Sequence, residues 1–492
     1  MNRSNKMATA GILLFILASG ILECFGIKEI AEAGTKEAAG FAAGIPSAEE
    51  THADILIIGS GGAGLSAAIA AADKGSKVVI VEKNATIGGN TRFANGMSSA
   101  RTGNGMSAEE SEEAFFRRTM AGGHYLNNPE LVRILAGQSA NAADWIDSLT
   151  RAVATVPAGK EEESAKVSFG SRLVGILQKN CELRGIDIRT NSKATGILSE
   201  NGRISGIEVE RPDGSRYRIK AKALILAGGG FGANRHLITR YNPALKGFKT
   251  TGQPGATGDI LQLTEHLQVA LVDMEQIQTH PTVVAGKQTT ITEGVRGAGA
   301  ILLNRSGKRF VNELSTRDTV SKAILENGGG TAFLVFDSKV VEKLSLAKQY
   351  VSEAYTLEDQ TVEGLAAKAG IPVAEAVHTL NQYNAYAENR KDEAFGRSRL
   401  SAPIDKPPFF AIEVSPAVHY TMGGIKINTK TEVIDRSGNI IPGLFAAGEV
   451  TGGIHGGNRL GGNSIADIIV FGRIAGEKAS DYVRLHSHTP PR

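Results

Sequence analysis

The sequence predicts an α/β fold that begins with a βαβ unit. Residues 54–84 run as a buried strand, a glycine-rich turn, an alanine-rich helix, Gly75 and a second buried strand. Another buried strand at Ala223–Leu226 is again followed by glycines, whereas residues 275–420 mix strands and helices without this rhythm. With 492 residues and 59 glycines, the chain is long enough for one very large domain or two to three ordinary ones.

The remaining elements are predicted from hydrophobic periodicity and from turn residues such as N-G and D-G. They are helices at 124–150, 168–183, 320–327 and 361–389, a strand meander at 186–230, strands after residue 421, and a closing helix from Ser464 to about Arg484.

The composition excludes several classes of function. A hydrophobic content of 41% and a charged content of 21% describe a globular protein with an ample core. The net charge of +3 is small and no basic stripe occurs, so nucleic-acid binding is not expected. Cys24 and Cys181 cannot build a disulfide framework, a zinc site or an iron–sulfur cluster, and no C-x-x-C-H motif is present to attach haem. We therefore predict no metal site and no haem in this chain.

The N-terminus has the layout of a Sec-type signal peptide. Two basic residues precede an apolar run from Met7 to Leu22, a small-x-small motif ends at Ala33, and no twin-arginine pair is present. We expect residues 1–33 to direct export to the periplasm, and residues 34–50 to form a linker. An uncleaved membrane anchor is the less favoured alternative, because the run is short and Glu23 interrupts it.

The turn of the βαβ unit carries a dinucleotide-binding fingerprint, Gly59-x-Gly61-x-x-Gly64. Gly59 permits the tight turn, Gly61 lets a pyrophosphate approach the backbone, and Gly64 lets the helix pack closely on the strand. Glu82 ends the second strand, where a carboxylate accepts hydrogen bonds from ribose hydroxyls. The positive end of the helix then faces the diphosphate of a bound dinucleotide.

The fingerprint alone does not distinguish NAD from FAD. Further segments resemble the flavin elements of the succinate dehydrogenase/fumarate reductase flavoprotein superfamily, namely 88–97, 224–232, 255–259, 441–450 and 463–476. The resemblance implies one FAD per chain. It places Glu449 at the ribityl or diphosphate region and the amides of Ser464 and Ile465 at the flavin pyrimidine, where a helix N-terminus stabilises negative charge.

Covalent members of the superfamily carry a histidine in the 88–97 loop, whereas this chain has Asn90 at the matching position. The resemblance therefore implies that FAD is bound non-covalently. Together with the fingerprint, it predicts the following cofactor-binding residues: Gly59, Gly61, Gly62, Ala63, Gly64, Glu82, Lys83, Asn90, Thr91, Gly96, Met97, Ala194, Asp259, Tyr420, Glu449, Ser464 and Ile465.

A second set of motifs indicates a substrate site. The set consists of Gln278-x-His280, Thr292-Glu293-x-x-Arg296, Arg309 to Glu313 with Arg317-Asp318, His419, and Asn458-Arg459. Together these motifs closely resemble the flavoprotein part of soluble flavocytochrome c fumarate reductases over residues 50–485. The resemblance implies a Rossmann-like FAD-binding domain, formed by 50–274 and 421–485, with an inserted α+β capping domain at 275–420.

The resemblance also implies roles for these residues. His419 and Arg459 hold one carboxylate of fumarate, and His280, Thr292 and the Glu293 backbone hold the other. Flavin N5 delivers a hydride to the alkene and Arg317 delivers a proton, which is resupplied through Glu293 and Arg296. Guanidinium groups suit this task because they bind carboxylates bidentately and polarise the alkene.

Two alternatives stay open for the proton relay. His280 or His419 is a possible acid on intrinsic pKa, because the pKa of arginine exceeds 12. The spacing of Glu293 and Arg296 is, by itself, more typical of a salt bridge.

This chain departs from the family in three respects. Tyr420 occupies a position where relatives often carry a second histidine, Ile260 stands where glycine commonly follows the 255–259 segment, and residues 34–50 cannot hold haems. We therefore expect a monomeric flavoprotein subunit that receives electrons from a separate c-type cytochrome. Fumarate is the favoured substrate, while methacrylate, acrylate and urocanate are alternatives within the family. A flavin-bearing electron carrier is the alternative without alkene chemistry, and the retained Arg317, Glu293 and Arg296 argue against it.

Overall fold

The computed structural model describes residues 50–102, 105–154 and 168–487 of the chain. The predicted signal peptide at 1–33, and the predicted linker up to residue 49, lie outside these residues. None of the helices in the described ranges combines the length and the apolar character that spanning a bilayer requires.

The strands of the described residues are numbered in chain order. They are β1 (Glu50–His52), β2 (Ile55–Ile58), β3 (Val78–Val81), β4 (Asp187–Arg189), β5 (Lys193–Glu200), β6 (Arg203–Glu210), β7 (Arg216–Lys220), β8 (Ala223–Leu226), β9 (Leu271–Val272), β10 (Ile277–Val284), β11 (Ile301–Leu303), β12 (Ala332–Asp337), β13 (Leu357–Asp359), β14 (Phe409–Thr421), β15 (Gly424–Ile425), β16 (Glu432–Ile434) and β17 (Ile440–Ala446).

The α-helices are numbered in the same way. They are α1 (Gly62–Asp73), α2 (Ala108–Gly122), α3 (Pro129–Ala154), α4 (Phe169–Leu183), α5 (Arg235–Tyr241), α6 (Asp259–Leu263), α7 (Glu293–Gly297), α8 (Arg317–Asn327), α9 (Ser338–Lys343), α10 (Ser345–Ser352), α11 (Val362–Ala369), α12 (Val373–Glu388) and α13 (Asn463–Ser487). Short 3-10 turns lie at Gly89–Phe93, Pro243–Leu245 and Glu265–Leu267.

The largest sheet has six strands in the order β16-β17-β8-β2-β3-β4. All neighbours are parallel except β16, which pairs antiparallel with β17 at one edge. The predicted βαβ unit is β2, α1 and β3, and the mixed α/β architecture is confirmed. Strand β17 lies more than two hundred residues after β8 yet pairs with it, so the chain leaves this sheet and later returns to it.

A second sheet is built from the intervening residues in the order β10-β14-β12-β11, with β13 also on β14. Its pairs are antiparallel. Successive side chains of β12 enter two separate cores, Leu334 and Phe336 on one face and Phe333 and Val335 on the other. Because strand side chains alternate in direction, this sheet is covered by apolar residues on both faces.

Two smaller sheets complete the strand pairing. Strands β5, β6 and β7 form an antiparallel meander, with β1 as the fourth strand on β7, and β15 pairs with β9. The predicted meander at 186–230 was therefore too long, because β4 and β8 at its two ends belong to the parallel sheet.

The predicted helix at 124–150 differs most from the structure. The chain forms α2 before it, capped by Ser107 and Glu110, and α3 begins only at Pro129. Between them, His124 and Tyr125 have positive φ angles of 58° and 59°, which a helix does not contain. Similarly, the predicted helix at 361–389 is divided into α11 and α12, because Gly370 is left-handed and Pro372 precedes the second helix.

Helix α13 packs along α1, and the backbones approach closely. A Cβ on Gly476 would lie 2.1 Å from the carbonyl oxygen of Ala67, so a larger residue would push the two helices apart. The packing holds the N-termini of α1 and α13 near each other, and residues from both ends line the same cavity.

Candidate active site

A cavity of about 1050 Å³ lies at the carboxyl ends of four parallel strands. Ile58 ends β2, Val81 ends β3, Ala227 follows β8 and Ala447 follows β17, and all four residues line it. Ligands of open α/β sheets bind at this edge. The cavity is also lined by residues from the segment that carries the second sheet, His280, Glu293 and Arg317 among them, so cofactor and substrate positions share one space.

The glycine turn between β2 and α1 has the geometry that a pyrophosphate requires. Gly59 has φ +106°, and a Cβ there would lie 2.4 Å from the carbonyl oxygen of Ala227. A Cβ on Gly61 would meet no described atom within 4 Å, which leaves the backbone open to a ligand. Gly64 does not line the cavity, and a Cβ there would lie 2.0 Å from the carbonyl oxygen of Gly59. Gly64 therefore serves close packing of α1, as the fingerprint predicts.

The other predicted cofactor residues all line the cavity. Their arrangement suits a dinucleotide, since the N-terminus of α1, the start of α13 at Ser464 and Ile465, and the buried carboxylate of Glu82 line the same space. Thr91 accepts a hydrogen bond from the N–H of Gly62 at 3.0 Å and so fixes the 89–93 turn on the start of α1. The residues present fit FAD.

Two charged groups at the far end of the cavity are oriented by local hydrogen bonds. One oxygen of Glu82 accepts from the N–H and hydroxyl of Ser60 at 3.0 and 2.7 Å, and the other accepts from Asn84. Lys83 forms a 2.9 Å ion pair with Asp259. Burial raises the pKa of Asp259, but the hydrogen bond from Thr257 and the charge of Lys83 outweigh it and lower the pKa.

Asn90 and Glu449 meet in the middle of the cavity. The Asn90 amide donates to Glu449 Oε2 at 3.3 Å, and the Thr421 N–H donates to Glu449 Oε1 at 3.2 Å. Burial raises the pKa of Glu449 despite these hydrogen bonds. An amide side chain holds the carboxylate here, at the position where covalent relatives carry a histidine.

Arg317 is held in a fork between two side chains. Its Nε and Nη2 donate to the two oxygens of Glu293 at 2.7 and 3.1 Å, and its Nη1 donates to Gln278 Oε1 at 3.1 Å. Gln278 is held in turn by Asn458 Oδ1 at 2.7 Å and the carbonyl of Arg459 at 2.8 Å. Burial would raise the pKa of Glu293, but the charge and hydrogen bonds of Arg317 lower it to about 2. Glu293 is therefore a carboxylate in a bidentate ion pair with Arg317.

His280 and His419 both line the cavity and lie in contact with each other, with tilted rings whose centroids are 5.1 Å apart. His280 Nδ1 accepts from the N–H of Thr282 at 3.3 Å, which leaves the ring proton on Nε2. His419 Nδ1 lies 2.6 Å from the hydroxyl of Thr251. Burial first, and then the charge of Arg317, lower the pKa of both histidines well below the ordinary value. Both rings are therefore neutral near pH 7.

Arg459 completes the site as a buried cation. Its guanidinium lies 4.8 Å from the ring centroid of Tyr420, and its Nη1 donates to the Leu460 carbonyl at 3.1 Å. Burial, followed by repulsion from Arg317, lowers the pKa of Arg459 to about 9. Burial raises the pKa of Tyr420 well above its ordinary value, so the phenol is neutral beneath the guanidinium.

Arg296 is the predicted relay residue that does not line the cavity. Its Nη2 lies 3.5 Å from Glu293 Oε1, whereas its Nη1 donates to the Glu313 carbonyl at 2.7 Å. Glu313 belongs to a buried ion-pair cluster with Arg309, Arg397 and Asp392. The Arg296 side chain therefore reaches the cavity only through its contact with Glu293. Burial lowers the pKa of Arg296 to about 10.

Three residues with no predicted role position the site. Gln278 holds Arg317, Thr251 contacts His419, and the hydroxyl of Tyr350 contacts the backbone of Thr290 and Thr292. Gln278 lies within the Gln278-x-His280 motif, but a neutral amide two residues before a histidine does not by itself indicate a functional residue. Thr251 and Tyr350 lie in segments without a motif, and their role comes from the three-dimensional structure alone.

Comparison with known proteins identifies the family. A family model described as FAD binding domain matches residues 54–465. The chain belongs to this family. The flavoprotein is 41% identical over 451 residues to the fumarate reductase (cytochrome) of Shewanella frigidimarina, which covers 89% of this chain and 79% of the relative. It is 32% identical over 514 residues to the urocanate reductase of Eggerthella lenta, covering 96% and 82% of the two chains.

A solved structure supports the same assignment for the flavoprotein. The open conformation of a flavocytochrome c3 fumarate reductase matches it with a TM-score of 0.74 and 36% identity, over 92% of this chain and 81% of that one. The predicted membership of the fumarate reductase flavoprotein superfamily is confirmed, and FAD is its cofactor. The flavoprotein is a fumarate reductase-type FAD oxidoreductase that acts on a CH–CH group.

Proposed function

We propose that this flavoprotein is a periplasmic fumarate reductase that produces succinate with electrons from a separate c-type cytochrome. The observation that carries the proposal is Arg317, which faces the cavity in a bidentate pair with Glu293. Neutral histidines and a second buried guanidinium surround it. Fumarate reductases among its relatives, at about 40% identity, support a dicarboxylate substrate.

The excess of positive charge in the site is the reason for proposing a dianionic substrate. Arg296, Arg317 and Arg459 outnumber Glu293 as the charged groups nearest to the two histidines. A site with this excess of positive charge attracts dianionic substrates. His419 and Arg459 hold one carboxylate, and His280, the Thr292 hydroxyl and the N–H of Glu293 hold the other. Glu293 is the first residue of α7, where a helix leaves its N–H groups free to bind a ligand.

Each residue then has one task in the reduction. The two carboxylate clamps fix the alkene and withdraw electron density from it. FAD, when bound, supplies the hydride to one alkene carbon. Arg317 donates a proton to the other carbon. That proton is resupplied through Arg296 and Glu293: the Glu293 carboxylate accepts a proton across the 3.5 Å contact with Arg296 and passes it to Arg317 through the 2.7 Å contact. The sum of alkene, hydride and proton is succinate.

The low pKa of both histidines supports Arg317 over a histidine acid. A neutral imidazole near pH 7 has no easily released proton, whereas Arg317 is a cation whose lost proton is replaced by one that the Glu293 carboxylate accepts from Arg296 and passes on. The developing carbanion is basic enough to take a proton from a guanidinium.

We also propose the boundaries of the parts. The parallel sheet belongs to the FAD-binding domain, formed by 50–274 and 421–485, and the antiparallel sheet at 275–420 belongs to the capping domain. Export follows from the predicted signal peptide, and the separate cytochrome follows from the absence of a haem-attachment motif in the sequence. We propose a monomeric subunit.

An assay with reduced viologen tests the function directly. The purified protein with FAD is offered fumarate, methacrylate, acrylate and urocanate, and viologen oxidation is followed by its absorbance. We expect fumarate to give a kcat/KM at least about tenfold above the others, because a lost bidentate carboxylate contact costs about 1.5–3 kcal/mol. Preference for a mono-enoate or urocanate would assign one of the family's other activities, and no oxidation with any substrate would favour an electron carrier.

A second experiment tests how the cofactor is held. Because Asn90 has no ring nitrogen to form a flavin bond, acid precipitation or denaturing electrophoresis is expected to release all flavin from the polypeptide. Flavin absorbance in the supernatant and fluorescence in the gel measure this. Fluorescence that stays with the protein band would contradict non-covalent binding.

A further inference from the structure

Helix α7 carries both Glu293 and Arg296, yet it is only five residues long, Glu293–Gly297. A helix this short has no stability of its own in water, because nucleation costs more than its few hydrogen bonds return. Its position, and with it the geometry of the relay, must come from contacts with the rest of the protein.

The C-terminal end of α7 is held by two side chains from a later segment. Arg397, fully buried, donates from Nη2 to the Arg296 carbonyl at 2.6 Å, and the Ser401 hydroxyl donates to the Gly297 carbonyl at 2.9 Å. These contacts fix the side of the helix that faces away from the cavity.

The N-terminal end is held by Tyr350 of α10. Its hydroxyl accepts from the N–H of Thr292 at 3.2 Å and donates to the carbonyl of Thr290 at 3.3 Å. The ring is 5% exposed, and burial raises the pKa of Tyr350, so the hydroxyl keeps the proton it donates. Thr292 caps the helix, because its Oγ1 accepts from the N–H of Gly294 at 3.3 Å.

Helix α10 presents one face to the cavity. Leu346, Gln349, Tyr350 and the following Glu353 line it at the spacing i, i+3, i+4 and i+7, which is one face of a helix. Of these side chains, Tyr350 is the one that bonds to the 290–292 backbone. The Tyr350 hydroxyl accepts the hydrogen bond of the Thr292 N–H and so holds this stretch of backbone in place. The adjacent N–H of Glu293 and the Thr292 hydroxyl, which bind substrate in the proposed function, are thereby kept in position.

We propose that Tyr350 is a positioning residue for one end of the substrate site, acting through Thr292 and Glu293. The inference rests on the proposed function, in which these residues hold one carboxylate of a dicarboxylate. Loss of the tyrosine hydroxyl weakens that clamp and leaves the opposite clamp of His419 and Arg459 unchanged. A substrate with two carboxylates therefore depends on Tyr350 more than a substrate with one.

The test compares Tyr350→Phe with Tyr355→Phe in the FAD-loaded protein. Tyr355 is a matched control, since its hydroxyl accepts from the Thr289 side chain at 3.4 Å, next to the same loop but outside the clamp. We expect Tyr350→Phe to raise KM for fumarate about tenfold and to change KM for acrylate less than about twofold, as expected for two lost hydrogen bonds of ordinary strength. Tyr355→Phe is expected to match the wild type with both substrates.

Binding and coupling measurements separate positioning from general damage. Malonate affinity, read from the flavin absorbance change, is expected to fall about tenfold in Tyr350→Phe with an unchanged melting temperature. Combining Tyr350→Phe with Thr292→Ala is expected to cost no more than the larger single change, because both act on one clamp. Equal losses for fumarate and acrylate, additive effects, or wild-type malonate affinity would overturn the inference. Failure of the wild type to reduce fumarate would overturn the proposed function instead, and the malonate comparison would still decide the role of Tyr350.

Discussion

Replacing Arg317 with lysine or alanine is expected to reduce fumarate turnover about a thousandfold or more, with bound FAD and dicarboxylate affinity largely retained. The reason is geometric. Arg317 is fixed by both oxygens of Glu293 and by Gln278, so its guanidinium is held at the wall of the cavity in contact with the carboxylate that we propose to resupply its proton. A lysine ammonium cannot bridge the same three acceptors, because it lacks the planar fork. The kcat with reduced viologen, the flavin-to-protein ratio and malonate affinity measure the three parts of this prediction.

The matched control for Arg317 is Lys322→Ala on the same helix α8. The Lys322 side chain is 75% exposed and pairs with Glu326 on the surface, so its removal changes the charge of the helix without reaching the cavity. We expect wild-type kinetics from it. Near-normal activity in the Arg317 variants would remove the proton-donor assignment. The proton donor would then have to be a histidine, although burial and the charge of Arg317 lower the pKa of both rings.

The first two strands of the parallel sheet, β2 and β3, could be predicted because they are close in sequence and fully buried. Ile55–Ile58 and Val78–Val81 are apolar throughout, and glycines mark the turn between them. The break between α2 and α3 was missed because His124 and Tyr125 adopt positive φ, which neither residue type signals. The pairing of β4 and β8 within the parallel sheet depends on contacts between residues that are distant in sequence. The alternation of side chains along a strand does not indicate which other strand it pairs with.

The site residues could be predicted because their motifs, taken together, resemble those of the family, and the roles come from that resemblance. Arg317, Arg459, His280 and His419 are polar groups in apolar or glycine-rich surroundings, and the structure brings them together around one cavity. Arg296 differs, since its guanidinium is turned toward the Glu313 carbonyl and reaches the cavity only through Glu293. Whether an arginine three residues from a glutamate faces a cavity or the core depends on packing that spacing does not encode.

Replacing Arg459 with methionine is expected to raise KM for fumarate about a hundredfold or more, since loss of a buried charged partner costs about 2–5 kcal/mol. Arg459 is buried, its Nε has no hydrogen-bond partner among the described residues, and the ring face of Tyr420 and the Leu460 carbonyl hold its guanidinium. A carboxylate of the substrate is the partner that this arrangement lacks. Steady-state kinetics with fumarate, and malonate affinity, measure the loss.

The pH dependence follows from the same burial. In the free protein the pKa of Arg459 is lowered to about 9, so the charge that binds a carboxylate is lost as the pH rises through about 9. We therefore expect KM for fumarate to rise above this pH in the wild type. The methionine variant has no such group, and its KM is expected to stay level over the same range. If KM rose with pH in the same way in both proteins, the increase at high pH could not be assigned to Arg459.

Stability is expected to change in the opposite sense to binding. A base whose folded-state pKa lies below its unfolded-state pKa opposes folding while it is protonated, and that cost is relieved only as the pH rises past the folded-state pKa. Near pH 7 the wild type bears this cost, and Arg459→Met removes it while keeping an apolar stem in the space. Without dicarboxylate, the melting temperature of the variant should therefore equal or exceed that of the wild type, and excess malonate should stabilise only the wild type. A variant that melts well below the wild type without ligand would mean that Arg459 supports the fold, and its KM could then no longer be ascribed to a lost substrate contact.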